Sequence, residues 1–215
     1  MNIIFNYLSG LFQFLYSYIG DWGLTIMAVT AVVRLAVLPV SMKQKSSIDK
    51  QQVLSREMEE VKEKYKNDKE KLDSELAKLS AASAKNMLGC LVTLIQIPVM
   101  YTLYRVFSSM PADIASIIVP WVSNIKLPDT SFIIPVISTC IQLMPNLFNA
   151  LGFYKNLKLP KPAKGQVIIT VVMNLFFMTK APVTIGIYWI TSGLFNLLEQ
   201  TLYNIRIKKK SITPA

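Results

Sequence analysis

Apolar residues in this chain gather into five long runs separated by polar stretches, rather than into the narrow stripes of helices that share one soluble core. About 20 mostly apolar residues cover about 30 Å of hydrocarbon at about 1.5 Å per residue, so such runs predict membrane-crossing helices. They extend from Trp22 to Met42, Asn86 to Phe107, Ser131 to Phe153, Gln166 to Thr179 and Pro182 to Tyr203. The fourth, about 14 residues long, reaches only about 21 Å as a helix and must tilt little or sit where the bilayer is thin. Ahead of the first run, Ile3, Ile4, Tyr7, Leu8, Leu11, Phe12, Phe14, Leu15 and Ile19 are interrupted by Asn2, Asn6, Ser9, Gln13 and Ser17, with no Lys or Arg. The missing basic start argues against a cleavable signal peptide. The pattern predicts an amphipathic helix lying in the interface, with a sixth, weaker span as the alternative.

Between the first two runs, Lys43 to Lys85 holds 11 basic and 9 acidic residues, a composition that belongs in water. Leu54, Met58, Val61 and Tyr65 recur at helical spacing, as do Leu72, Leu76 and Leu79, with Asn67-Asp68 between them as turn and cap. A charged helical hairpin follows, serving either as a solvated spacer or as an arm that touches a partner or covers a site.

Charge then orients the chain. Of 23 Lys and Arg residues, 19 fall in the hairpin, in the loop with Lys155, Lys158, Lys161 and Lys164, and in the tail with Arg206, Lys208, Lys209 and Lys210. By the positive-inside rule these segments are cytoplasmic, which leaves the N-terminus outside and the C-terminus inside. Only Arg105, Lys126 and Lys180 fall on the opposite side and its span ends, and Arg34 is the one basic residue left within a span.

Arg34 lies twelve residues into the first run, between Val33 and Leu35. An arginine at that depth costs several kcal/mol against lipid, so it faces protein or a water-filled cavity, unless it snorkels to the interface near Lys43. Each span also carries polar residues on one helical face. They are Thr30 with Arg34, Thr93 with Gln96, then Ser138, Gln142, Asn146 and Asn149, then Thr170 with Asn174, and finally Thr184, Tyr188, Ser192 and Glu199. Singly, each stripe reads as interhelical packing glue. Five stripes together with an arginine point to a shared hydrophilic chamber. Glu199 is the one carboxylate within the spans that could neutralise Arg34; if it does not, the chamber is positive and favours an acidic ligand. Pro39, Pro98, Pro135 and Pro145 fall inside the runs, where they kink helices or are ordinary membrane-helix prolines.

Composition removes most enzymes. With no histidine there is no Ser-His-Asp triad, Cys-His pair or H-E-x-x-H zinc site, and Cys90 and Cys140 sit in separate apolar runs rather than in a C-x-x-C motif. No phosphate-binding glycine loop occurs, so no cofactor, metal or nucleotide is expected. A solute transporter would use Arg34 and Glu199 as a binding pair, but the halves of the chain show no repeat symmetry. A membrane-embedded enzyme lacks paired carboxylates at depth, and a passive assembly subunit would need no chamber.

The run WGLTIMAVTAVVRLAVLPVSMKQKSS, the hairpin ending KYKNDKEKL, MLGCLVTLIQIPVMYTLYRVF, and the closing APVTIGIYWITSGLFNLLEQ together resemble the YidC/Oxa/Alb membrane protein insertases, from about Asp21 to Tyr203. The likeness is to the short form, with no large external domain expected ahead of the core; no lipobox cysteine of the kind some members carry is seen near the N-terminus, so N-terminal processing is not expected. It implies an all-α polytopic membrane protein with five transmembrane helices around a hydrophilic groove open to the cytoplasm, plus a cytoplasmic helical hairpin and an N-terminal interfacial helix. The expected plan is an interfacial helix over 1–20, spans over 21–42, 86–107 and 131–153, two more spans within 166–203, the hairpin over 43–85, an external loop over 108–130, a basic loop over 154–165 and a basic tail over 204–215. Arg34 matches the groove arginine and Thr30 its neighbour one turn before. Gln142 matches a groove glutamine, and Trp189 the aromatic that contacts clients. With Gln96, Asn146, Tyr188 and Ser192 from the polar stripes, these form the expected groove. The implied activity is ATP-independent insertion of newly made membrane proteins into the bacterial plasma membrane by a monomer. The Sec translocon is a further implied partner, as is the ribosome, reached through the basic loop and tail.

Overall fold

The computed structural model describes residues 2–66, 68–85, 101, 104–108, 111, 113–151 and 164–212. Among them the secondary structure is helical, apart from one isolated bridge between Pro128 and Pro182. Helix α1 is Asn2–Ile19, α2 is Trp22–Lys64, α3 is Lys69–Lys85, α4 is Ile133–Ala150, α5 is Lys164–Met178 and α6 is Val183–Ile212. Most of the second expected span, with Thr93, Gln96 and Pro98, lies outside the described residues, as do Lys155, Lys158 and Lys161.

The chain reverses from α1 into α2 through Gly20, whose φ of 72° lies in the left-handed region that glycine adopts without penalty. One face of α1 then lies on the start of α2, with Phe12 stacked on Trp22 at 5.8 Å and Tyr16 on Trp22 at 4.0 Å. The Arg105 guanidinium sits 4.4 Å over the Phe5 ring and ties the 104–108 helical turn to the same corner.

Helix α2 runs past Met42, the expected end of the first span. It continues without a break for 43 residues, so the first apolar run and the first arm of the charged hairpin are one rod. From Val40 to Lys64 the sequence has no Gly or further Pro, and Lys, Gln, Glu, Met and Leu all favour helix, so nothing stops propagation at the change of polarity. For the same reason α6 carries on past Tyr203 through the basic tail to Ile212, two residues before Pro214. The 154–165 loop gives way to helix at Lys164. The seam between the α2 arm and α3 is thin: Leu54 is buried, while Met58, Val61, Leu72, Leu76 and Leu79 are half-buried.

Among the described residues, only Trp22–Ser47 of α2 is long and apolar enough to cross a membrane by itself. Ile133–Phe148 and Val167–Met178 are shorter apolar helices. In α6 the polar side chains Ser192, Asn196, Glu199 and Gln200 dilute an otherwise apolar helix. Exposed aliphatic and aromatic residues line the outer faces of the helices: Val32, Leu35 and Val40 on α2, Ile168, Ile169, Val172, Met173 and Phe176 on α5, and Leu194, Leu198 and Leu202 on α6. An apolar surface of that extent is foreign to a monomeric soluble protein and fits contact with lipid.

Two aspartates organise the end of the bundle where α2, α4 and α6 begin. Asp21 caps α2 by accepting from the Leu24 N–H at 2.8 Å, and also accepts from Ser116 Oγ at 2.7 Å and the Ile117 N–H at 2.9 Å. Asp129 accepts from the N–H groups of Ser131 at 2.9 Å and Ile134 at 2.7 Å, capping α4. Pro135 falls in the first turn of α4, where a missing N–H breaks no helical bond. The 113–132 loop joins the start of α6 through Val183 N–H to Leu127 O and Thr184 N–H to Ile125 O, each 3.0 Å. Ile114, Val119 and Ile125 are buried beneath it, continuous with Ile26, Val29, Ile134 and Val183. That end is sealed.

Helix α6 is the hub, packing on α2 and on α4. Its approach to α4 is close: a Cβ at Gly193 would come within 2.6 Å of Ile141 Cγ2, and one at Gly186, two turns earlier, would collide with Ile134. Gly193→Ala should therefore lower the unfolding free energy by about 1–3 kcal/mol, and Ile141→Ala in the same chain should restore part of it, as read by denaturant unfolding in detergent.

Asp21→Ala should cost about 1–3 kcal/mol. Burial alone would raise the Asp21 carboxyl, but hydrogen bonds from Leu24, Ile117, Ser116 and Gly23 outweigh it and hold the group below its ordinary value. Its contribution is present above about pH 4, the unfolded value, and is lost as pH falls through the depressed one. The stability gap between wild type and Asp21→Ala, followed by thermal unfolding from pH 7 to pH 3, should narrow at the acid end.

Candidate functional site

Beyond the sealed end, α2, α4 and α6 part to enclose a cavity of about 350 Å³. Helix α2 contributes Arg34, Ser41, Gln44 and Lys45 to its wall. From α4 come Ile141, Gln142 and Pro145, and from α6 Tyr188, Trp189, Ser192, Gly193, Asn196 and Glu199. Arg34 faces this space, and its Nε donates to Ser192 Oγ at 3.3 Å. No carboxylate among the described residues lies within 4.0 Å of the guanidinium. Lys45, 9% exposed, donates from Nζ to Asn196 Oδ1 at 2.7 Å and to Gln200 Oε1 at 3.1 Å, so a second cation bonds α2 to α6. Glu199 is 2% exposed, and its nearby charges are Lys45 and Arg34.

The expected groove residues separate into two groups. Arg34, Gln142, Tyr188, Trp189 and Ser192 come together on the cavity wall. Trp189 is held there by an edge-to-face contact with Phe177 of α5, ring centres 5.4 Å apart. Thr30 and Asn146 do not line it. Thr30 lies one turn toward the sealed end, 3% exposed, with its hydroxyl spent on the Ile26 carbonyl of its own helix at 2.6 Å. Asn146 is half-buried on α4 away from the wall. Gln96 is outside the described residues. Of the expected ribosome contacts, Lys164, Arg206, Lys208, Lys209 and Lys210 fall on helical backbone at the ends of α5 and α6.

The polar stripes are therefore not one continuous chamber. Toward the sealed end they are glue: Ser138 and Thr139 donate to the Pro135 carbonyl, Asn174 Nδ2 donates to Thr139 Oγ1 at 3.1 Å, and Thr191 donates to the Ile187 carbonyl. Toward the hairpin end they surround space. There Gln142 Nε2 and Glu199 Oε1 are buried with no hydrogen-bond partner.

Sequence reasoning missed Ser41, Gln44, Lys45 and Asn196. The signal was available in the spacing. Ser41 and Lys45 follow Arg34 by 7 and 11 residues, two and three turns along the same helical face, and Asn196 follows Ser192 by one turn. Assigning everything after Met42 to a separate aqueous insert hid it.

Chemically the site is a polar recess with two cations and one carboxylate, and among the described residues no group of His, Cys, Asp and Glu could hold a metal. Such a wall suits reversible holding of polar, anionic groups more than bond making.

A family model described as 60Kd inner membrane protein matches residues 14–210. The chain is 29% identical over 193 residues to the membrane protein insertase YidC of Campylobacter jejuni, covering 89% of this chain and 36% of that protein. It is 30% identical over 216 residues to the YidC of Aquifex aeolicus, covering 98% and 41%. Against the YidC of Fusobacterium nucleatum it is 28% identical over 207 residues, covering 93% and 96%. The chain thus spans little more than a third of the Campylobacter relative and nearly all of the Fusobacterium one. A match that takes in α2, the hairpin, the cavity wall and the start of the basic tail leaves one assignment, and the chain belongs to the 60Kd inner membrane protein family, that of the YidC insertases.

Proposed function

We propose that the chain is a membrane protein insertase that moves the short external tails of newly made membrane proteins across the bilayer and releases their helices into lipid, without ATP. The observation that carries the proposal is Arg34, held on a polar cavity inside a bundle whose outer faces are apolar. In this reading the chain crosses the plasma membrane five times, with the loop around Ser116 outside and the hairpin and tail in the cytoplasm. The Asp21 and Asp129 clamps close the outer end, so the cavity communicates with the cytoplasm alone.

A client's polar tail enters and is held by Arg34, with Gln142, Tyr188 and Ser192 as neutral partners, while its apolar helix passes along α4 and α6, where Trp189 offers an aromatic surface. Holding the tail part-way shortens the path it crosses unsolvated. The driving force is the client's own partitioning, about 0.8 kcal/mol per buried methylene. The membrane potential adds roughly 2.3 kcal/mol per charge per 100 mV for outward movement of an acidic tail. The short α5 thins the bilayer locally and lowers the barrier. The basic ends of α5 and α6 would meet ribosomal RNA, and a Sec translocon would hand over larger clients.

Two measurements test this. In a cysteine-free background made with Cys90→Ser and Cys140→Ser, a charged, membrane-impermeant thiol reagent applied from the cytoplasmic side should label Ser192→Cys and leave Thr30→Cys unlabelled; equal labelling, or none, rules out a vestibule that stops between them. Insertion of a single-span client with an acidic external tail into liposomes holding only this protein, scored by protease protection, should fall about tenfold with Arg34→Ala, the loss expected for one charge-assisted contact. Protection no better than in empty liposomes would sink the reading.

A further inference from the structure

The cavity carries an anion of its own. Glu199 is 2% exposed on the α6 wall, and Oε1 accepts no hydrogen bond. Its field comes from Arg34 and Lys45 across the cavity on α2. Among the described residues Arg34 forms no ion pair with it within 4.0 Å. Arg34 donates to Ser192, seven residues earlier on α6, and Lys45 donates to Asn196 and Gln200, the residues flanking Glu199 at one turn and one residue. A buried carboxylate oxygen without a donor is costly, typically by more than a neutral group in the same position, and such an oxygen persists where something else requires it. The facing wall has the complementary orphan, since Gln142 Nε2 on α4 is buried without an acceptor. A carboxylate and an amide, each with a buried unpartnered atom, therefore stand on two walls of one recess that also carries two cations.

We infer that Glu199 is the resident counter-ion of the cavity and determines which charge class of tail it accepts. Left with Arg34 and Lys45 alone, the recess would hold acidic tails tightly and exclude basic ones. With Glu199 present, a client carboxylate shares the field of the two cations with a carboxylate already there and is held more weakly. A tail bearing an ammonium or guanidinium meets the field of Glu199, which offsets that of the two cations. Glu199 thus trades affinity for acidic tails against tolerance of neutral and basic ones, and keeps any one tail from being held too long. The inference rests on the insertase reading and concerns its selectivity.

The test uses the full chain in lipid nanodiscs and three fluorescent single-span peptides, identical except for a tail of three Asp, three Asn or three Lys. Binding of each is titrated to wild type, Glu199→Gln and Glu199→Asp. Removing one charge from a poorly screened recess should raise the preference for the Asp tail over the Lys tail about tenfold in Glu199→Gln, while Glu199→Asp keeps the wild-type ratio. A ratio unchanged in Glu199→Gln, with all three tails still bound, overturns the selectivity role and leaves the cavity reading standing. Failure of all three tails to bind wild type beyond empty nanodiscs overturns both. Glu199→Met, of similar length and uncharged, is measured alongside; if it and Glu199→Gln both fail to fold while Glu199→Asp folds, Glu199 is a structural group and the inference falls.

Discussion

A guanidinium cannot be buried in a hydrocarbon-like setting by itself: it needs water, an anion or a set of acceptors beside it. Arg34 stands twelve residues into an apolar helix, about 18 Å from its start, and among the described residues finds one hydroxyl acceptor, Ser192. The remaining donors of the guanidinium require polar space, and the arrangement of α2, α4 and α6 supplies it. Close packing of α6 on α4 through Gly186 and Gly193 would otherwise let the helices shut on one another, so the cavity persists where polar side chains line the seam.

The bundle is asymmetric along its length, and the asymmetry has a local cause. At one end backbone N–H groups and Ser116 converge on Asp21 and Asp129, the 113–132 loop pairs with the first residues of α6, and aliphatic side chains fill the layer beneath. At the other end α2 carries Lys45 and α6 carries Asn196 and Gln200, whose bonds hold α2 to α6 without filling the space beside them, with Glu199 on the same wall. A recess closed at one end and polar at the other suits a device that receives a segment, holds it and lets it go sideways.

Much of the architecture is legible in the residues themselves. Helical character follows from the length of the apolar runs and from the helix-favouring residues of the charged stretch, and the special status of Arg34 from the cost of charge among apolar neighbours. Element ends were less legible. Polarity changes sharply after Met42, but helix propensity does not, and the backbone follows propensity, so α2 runs on to Lys64. Thr30 and Arg34 share a face and look equivalent in sequence, yet one hydroxyl is short enough to be satisfied on its own helix while the guanidinium reaches beyond it.

By itself the sequence determined that the chain is helical and apolar-surfaced, that its charge is lopsided, and that one arginine sits where only a polar recess could keep it, because these depend on composition and on spacing along one helix. Only the tertiary structure decided which polar residues are glue and which are wall, that Lys45 belongs to the cavity rather than to the hairpin, and that Glu199 shares the recess with Arg34 without pairing to it. Those distinctions depend on how far apart α2, α4 and α6 stand at each level. That separation is set by contacts such as that of the Gly193 backbone with the Ile141 side chain, between residues far apart in sequence, which no single helix specifies.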